Sequence, residues 1–293
     1  MSRMKQSASE ITFGVLNLIF LTILSLIFVV PFISIISTSL IGIDEWARRG
    51  AYILFPEKIE FTAYKTLLTS GSRLVTGFTA SILRVLIGTG LNLIFTATLA
   101  YVIGKRNIPG RIGMTLFIFI TMVIGGGLIP TFFLVDRLQL TNSFWSMVIP
   151  FLVSPWNLLI MRNFFMALPE SLEEAAIIDG ATPLQVLVRV ILPLSTASIA
   201  TIGLFYAVWH WNEWFYAFLY INDTFKLPLQ VILKNILDAG MIEDTEMIPL
   251  EELPPTQALK TAMIVVTVTP ILMVYPFIQR YFVKGVMIGG IKG

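Results

Sequence analysis

The sequence contains no cysteine and one histidine, and only 13% of its residues are charged. Without cysteine the chain has no disulfide, no thiolate metal site and no cysteine nucleophile. A single histidine excludes a zinc site of the HExxH type. A phosphate-binding loop is also missing. Gly104-Lys105 is the nearest fragment, but Arg106 follows where serine or threonine is needed and Leu99 replaces the first glycine. The chain therefore has no cradle of backbone N–H groups for ATP. No basic block occurs and the formal net charge is +2, which leaves no footprint for nucleic acid. A filter-like loop and a nucleophile–base pair are absent too, which argues against an ion channel and against a membrane-embedded enzyme.

What the chain has instead is apolar length. Of its 293 residues 56% are hydrophobic, and the mean hydropathy is +0.83. A soluble domain carries about 25% charged residues, so this composition is that of an integral membrane protein. Six apolar runs stand out, at about 11–41, 78–103, 112–135, 143–166, 196–220 and 261–281. The first is too long for a signal-peptide core and lacks a cleavage pattern of small residues. Each run is long enough to be a candidate crossing of a hydrocarbon core ~30 Å thick. Pro31 is a candidate kink in the first. Gly125-Gly126-Gly127 with Pro130 should break or loosen the third, which is tolerable where freed backbone is buried or lines a wet cavity. Close packing through small residues is the other reading of those glycines. Pro150 and Pro155 interrupt the fourth run. Arg84 lies near the start of the second and can snorkel to the interface. No internal repeat is visible, and residues 1–293 read as one all-α membrane domain.

Six crossings put both termini on one side. With that side inside, Arg3, Lys5, Lys105, Arg106, Arg111, Arg162, Arg189, Arg280, Lys284 and Lys292 face the cytoplasm. The outer segments hold nearly as many basic residues, so the positive-inside bias is weak.

Between the fourth and fifth runs, residues 168–193 read as two short helices joined by a tight turn. Ser171 with Glu174 three residues on forms a capping-box pattern, followed by Leu172, Ala175, Ala176 and Ile177 at helical spacing. Gly180 suits a left-handed residue after the helix end. Thr182-Pro183-Leu184-Gln185 is a second start signal, with threonine as cap, proline at the first helical position and glutamine closing the box. Pro193 should end or kink that helix.

One carboxylate sits within the apolar runs with aromatic company. At helical spacing Trp209, Glu213, Tyr216 and Tyr220 share a face, with Asn212 beside it. A charge within a span costs ~2.5–3.5 kcal/mol on insertion scales, so Glu213 should face the bundle interior or water. Two readings are open. An acid among aromatic rings suits a sugar, whose hydroxyls bond and whose C–H faces stack. A belt of aromatics at the interface, with Glu213 near the headgroups, accounts for the tryptophans equally. His210 has no visible partner and reads as structural.

Glu174-Ala175-Ala176, Asp179-Gly180-Ala181 and Ile191-Leu192-Pro193 resemble the EAA loop of the membrane subunits of bacterial ABC importers. Further resemblance covers nearly the whole chain. Pro31 with Ser39-Leu40, the stretch from Pro56 to Tyr64, Trp211-Asn212-Glu213-Trp214 and the ending Gly285…Gly289-Gly290-Ile291-Lys292-Gly293 look like carbohydrate-uptake permeases related to the maltose importer's second membrane subunit. The Gly125–Pro130 segment resembles a subgroup linked to oligo- and polysaccharide uptake, and the length and ending resemble its alginate-importing members. Ile177-Ile178 fill the variable positions of the loop.

The resemblance implies an importer permease in the bacterial cytoplasmic (inner) membrane, with both termini cytoplasmic and working by alternating access. It implies a heterodimer with a second, homologous membrane subunit, an ATPase dimer holding ATP and magnesium, and an extracytoplasmic solute-binding protein that delivers the oligosaccharide. No cofactor or metal is expected on this chain. The loop residues Glu174, Ala175, Ala176, Asp179, Gly180, Ala181 and Pro193 would meet the ATPase. Trp209, Asn212, Glu213, Tyr216 and Tyr220 are the sugar-path candidates on the first of the two readings above; family members differ in which membrane subunit holds the sugar, so the resemblance alone does not make Glu213 a ligand. A permease for a peptide or polyamine is the alternative within the same class.

Overall fold

The computed structural model describes residues 8–50, 52–69, 72–239 and 256–290. Arg3, Lys5, Lys292 and the acidic stretch Glu243, Asp244, Glu246, Glu251 and Glu252 lie outside the described residues. Among the described residues every regular element is helical.

α1 (Ala8–Thr38) is apolar on all sides, with Pro31 inside it. α2 (Ile43–Arg49) and α3 (Thr62–Thr69) are short and lie in the polar segment that follows. α4 (Ser72–Gly104) has 33 residues and begins ahead of its apolar run. The third run is broken as its glycines predict. α5 (Arg111–Val123) and α6 (Leu128–Arg137) meet at 113°, with Gly127 at φ 84°, a conformation that only glycine adopts cheaply. The fourth run opens as two 3₁₀ turns, Phe144–Met147 and Ile149–Phe151, and bends by 51° into α7 (Pro155–Met166). Pro155 occupies the first helical position of α7, and the Ser154 hydroxyl accepts from the Asn157 N–H.

The hairpin consists of α8 (Glu170–Ile178), α9 (Pro183–Val186), a π turn (Leu187–Ile191) and α10 (Leu192–Leu194). At 87° to that segment runs α11 (Thr196–Asn212), followed by α12 (Phe215–Tyr220), α13 (Leu229–Ala239) and α14 (Thr256–Gly290).

Three helices are long and apolar enough to cross a membrane alone, and three bent pairs meet the same measure only jointly.

The chain divides into two compact units, residues 1–71 with 235–269 and residues 72–234 with 270–293. In the first, the Glu45 carboxylate organises the segment after α1. It accepts from the backbone N–H of Glu57 (2.9 Å) and Lys58 (3.4 Å) and from Arg49 Nη1 (2.7 Å). The Ser39 hydroxyl pairs with the Tyr64 hydroxyl at 2.7 Å in the same unit. In the second, α4, α7 and α11 share a core of Ala100, Ile103, Leu158, Met161, Phe165 and Ile202, into which Val186, Leu187 and Ile191 of the hairpin also pack.

Candidate functional sites: a helical hairpin and a polar seam

The hairpin's second start forms as its residues require. The Thr182 hydroxyl accepts from the Gln185 N–H (3.4 Å), and Gln185 Oε1 accepts from the Thr182 N–H (2.8 Å). Gly180 stands at φ 84°, so the turn is left-handed as expected, and Ala181 N–H donates to the Ala176 carbonyl at 2.9 Å. The first start is different. α8 begins at Glu170 behind Pro169, and Ser171 makes no capping bond. Pro169 holds the extended backbone that an N-cap needs, at φ −60° and ψ 128°, so the helix opens before Ser171 can act as its cap. Near Pro193 the chain forms the π turn Leu187–Ile191 and then turns sharply at Ser195. Proline lacks an N–H and crowds the preceding turn, which a wider turn accommodates.

The hairpin differs in burial along its length. Val186, Leu187 and Ile191 pack into the core shared with α4, α7 and α11, while Ile177, Ile178 and Leu184 about the turn are exposed, Ile178 to 84% and Leu184 to 67%; Val188 is exposed on the outer face of the π turn. Asp179 and Gly180 stand exposed at the tip, and Glu174 and Ala175 are exposed on α8, with Ala176 half-buried.

The second site is a seam between α4 and α11, which run antiparallel. On α4, Arg84, Gly88, Asn92 and Thr96 recur every four residues and so share a face. Arg84 is fully buried. Its Nη2 donates to Glu213 Oε2 at 2.5 Å, and its Nη1 to the Glu213 carbonyl at 2.7 Å. Gly88 lies against His210, whose ring a methyl group there would overlap. Asn92 Oδ1 meets His210 Nε2 at 2.7 Å, and Asn92 Nδ2 donates to the carbonyls of Phe151 and Leu152. Thr96 pairs with the Tyr206 hydroxyl at 2.8 Å.

The seam corrects three readings of the sequence. Arg84 does not snorkel: α4 starts at Ser72, so position 84 lies well inside the helix and finds a carboxylate there. His210 has a partner in Asn92. Trp209, Glu213, Tyr216 and Tyr220 do not share the face of one helix, because α11 ends at Asn212 and Glu213 is extended (φ −74°, ψ 117°). The cause is Glu213 itself. Its Oε1 accepts from the Tyr216 N–H at 2.6 Å, and Arg84 occupies its carbonyl, so both groups are drawn away from a continuous helix.

Trp209, Asn212 and Glu213 line one cleft of about 940 Å³, most of whose other lining is apolar, such as Val85, Leu204 and Ile271. Tyr216 and Tyr220 are not in that lining. Their rings stack at 6.1 Å, and Phe151 bridges Trp209 (5.0 Å) and Tyr216 (4.6 Å). The aromatic residues thus form one continuous cluster, with Arg84 over the Trp209 ring at 5.6 Å. Arg84, Asn92 and Thr96 were missed as site residues, although their four-residue spacing within an apolar run is a readable signal.

Fold and seam define a helical membrane protein whose crossing helices are broken in several places. The comparisons name its family. No family model matches the chain. It is 40% identical over 282 residues to Protein LplC of Bacillus subtilis (strain 168), covering 96% of this chain and 95% of that one. It is 38% identical over 276 residues to the polygalacturonan/rhamnogalacturonan transport system permease protein YtcP of the same organism, covering 94% and 96%. A crystal structure of a bacterial ABC transporter involved in the import of the acidic polysaccharide alginate matches with a TM-score of 0.89 and 33% identity, over 96% of this chain and 100% of that one. The chain belongs to the membrane permeases of carbohydrate ABC importers. It is a transport subunit, and ATP hydrolysis takes place on a partner ATPase.

Proposed function

We propose that this chain forms half of the translocation path of an ATP-driven oligosaccharide importer, and that the hairpin 168–193 is its contact with the ATPase. The observation that carries the proposal is the hairpin's asymmetry, with a root packed into the core of α4, α7 and α11 and bare apolar residues Ile177, Ile178 and Leu184 about the turn. A rigid knob with an exposed apolar face needs a recess to cover it, and a root packed in the bundle passes on whatever displaces the tip. Glu174, Ala175, Ala176, Asp179, Gly180 and Ala181 supply the contact, and Pro193 the bend toward α11. The second membrane subunit completes the path, the ATPase dimer binds ATP and magnesium, and an extracytoplasmic binding protein delivers the sugar. Residues 1–293 act as one transmembrane domain of six crossings in the cytoplasmic membrane. Both termini, 104–111 and 167–195 lie inside, and 42–77 and 222–260 outside.

For the substrate we infer an acidic oligosaccharide, alginate-derived or pectin-like. Two relatives carry polygalacturonan or alginate in their names, which supports that class. Trp209 and Asn212 line the cleft and would meet the sugar there, the ring edge through sugar C–H groups and the amide through hydroxyls, while Tyr216 and Tyr220, outside that lining, back Trp209 through Phe151. Glu213 belongs to this path as the clamp that holds the rings, because both its carboxylate oxygens are already engaged.

The test is reconstitution with the partner subunits. Wild-type ATPase activity should rise when binding protein loaded with oligouronate is added. Gly180→Arg, which forces an L-residue into a conformation costing about 1–2 kcal/mol and adds bulk at the tip, should lose ATPase co-purification and uptake together. Gly180→Ala should lose less. Normal ATPase association and uptake in Gly180→Arg would show that the hairpin is not the contact.

A further inference from the structure

The hairpin is tied to the bundle by more than its root. Directly after α4, Lys105 forms an ion pair with Glu173 of α8 through Nζ and Oε1, both side chains being one-quarter exposed. The Tyr101 hydroxyl, one turn back on α4, donates to the same oxygen at 3.4 Å, and the Lys105 ammonium lies 4.3 Å from the centre of the Tyr101 ring. Arg106 reaches Glu170, three residues before Glu173 on α8, at 3.2 Å. Two consecutive basic residues thus hold two acids on one face of α8. The end of α4 is itself anchored, since the Ile103 carbonyl accepts from Arg111 Nε and Arg162 Nε, each at 3.2 Å.

Glu173 and Glu170 are engaged by Lys105 and Arg106, whereas Ile178 and Leu184 about the turn are bare. The two ion pairs make a strap between the first helix of the hairpin and α4. The same α4 carries Arg84, Asn92 and Thr96 along the seam with α11. Twenty-one residues separate Lys105 from Arg84, about 30 Å at 1.5 Å per residue. A displacement of α8 is therefore delivered to α4 directly, besides the path through the π turn and Pro193 into α11.

We propose that Lys105 and Glu173 are positioning residues for transport: their ion pair makes α4 a second lever, which carries motion of the hairpin to the seam at Arg84 and Glu213. The proposal rests on the hairpin being the ATPase contact. On this reading breaking the pair leaves the ATPase bound and active but makes hydrolysis less productive. Glu170 and Arg106, more exposed, contribute less.

The experiment uses the full importer in proteoliposomes, with binding protein and an oligouronate as the transported probe. Glu173→Gln and Lys105→Gln are compared with the exchange Lys105→Glu/Glu173→Lys. Three quantities are read: ATPase co-purification, ATP hydrolysis and sugar transported per ATP. Each single variant should keep co-purification and hydrolysis while transport per ATP falls by about fivefold or more, the lower end of coupling between sites, and the exchange should restore most of it. Unchanged transport per ATP in both single variants overturns the proposal. So does loss of the ATPase from them, which would place the pair in docking, and so does failure of the exchange to rescue. Failure of the underlying reading appears separately, as normal ATPase association in Gly180→Arg.

Discussion

A guanidinium and a carboxylate buried inside a membrane bundle are stable only together. Arg84 is fully buried and the Glu213 side chain is 8% exposed, so neither charge has water to fall back on. Removing one partner of such a pair costs about 3–5 kcal/mol, because the other is left charged in an apolar setting. Arg84→Ala should therefore sharply lower the melting temperature of the purified subunit pair and the yield of folded protein. Glu213→Gln keeps an oxygen for the Tyr216 N–H but leaves Arg84 without its counter-charge, so it should be destabilised as well. The double variant Arg84→Met/Glu213→Gln should recover part of the loss, since it buries no lone charge. Thermal unfolding in detergent measures all three, and a melting temperature unchanged by Arg84→Ala would mean that the pair does not hold the seam. The sequence disclosed half of this feature. Glu213 drew attention as a lone acid among aromatics, while Arg84 looked like an interfacial residue because its helix was read as starting later. Which acid meets which base depends on antiparallel packing of helices 129 residues apart in the chain, and no local pattern encodes that.

At the scale of the element, most breaks in helices were legible and their angles were not, whereas Pro31 lies inside an unbroken α1. Glycines 125–127, Pro150, Pro155 and Pro193 all mark interruptions, for reasons of backbone chemistry alone. The break at Glu213 has no proline or glycine and so left no such mark. Its cause is a side chain that outbids the helix for an N–H. The segment around α2 works on the same principle, and it can be tested by pH. Burial alone would raise the pKa of Glu45, but the N–H groups of Glu57 and Lys58 and the Arg49 guanidinium outweigh it and bring it below its ordinary 4.5. A carboxylate with a lowered folded pKa adds stability that is fully present above 4.5 and is lost as pH falls through the folded value. A nitroxide label at Tyr52→Cys, an exposed position near this network, should thus be held at neutral pH and loosen on acidification below 4.5. With Glu45→Gln it should be loose throughout. Identical spectra at neutral and strongly acidic pH in the Glu45 protein would remove the carboxylate as organiser of this segment.

For the molecule as a whole, the question is how often the chain crosses the membrane, and it reduces to parity. Between Tyr52 and Ile178 lie α4, the α5–α6 pair and the 3₁₀–α7 pair. If each is one crossing the two positions lie on opposite sides. The 113° bend of α5 against α6 leaves another possibility, a re-entrant loop that enters and leaves by the same face, which would put both positions on one side. Lipid does not tolerate the freed backbone of Gly125–Gly127, so as a crossing this pair must bury its break against protein or face a wet cavity. On the proposed assembly a second membrane subunit would supply such cover, and the six-crossing arrangement is the expected one. Because the sequence has no cysteine, a single introduced thiol can be labelled without background. In right-side-out vesicles prepared without the ATPase, an impermeant maleimide should label Tyr52→Cys at once and Ile178→Cys only after permeabilisation. The exposure of Ile178, 84%, ensures that its silence before permeabilisation reflects sidedness and not burial in this chain. Labelling of both from outside would make α5–α6 re-entrant and move the hairpin away from any cytoplasmic ATPase. Labelling of Ile178→Cys alone would invert the whole chain.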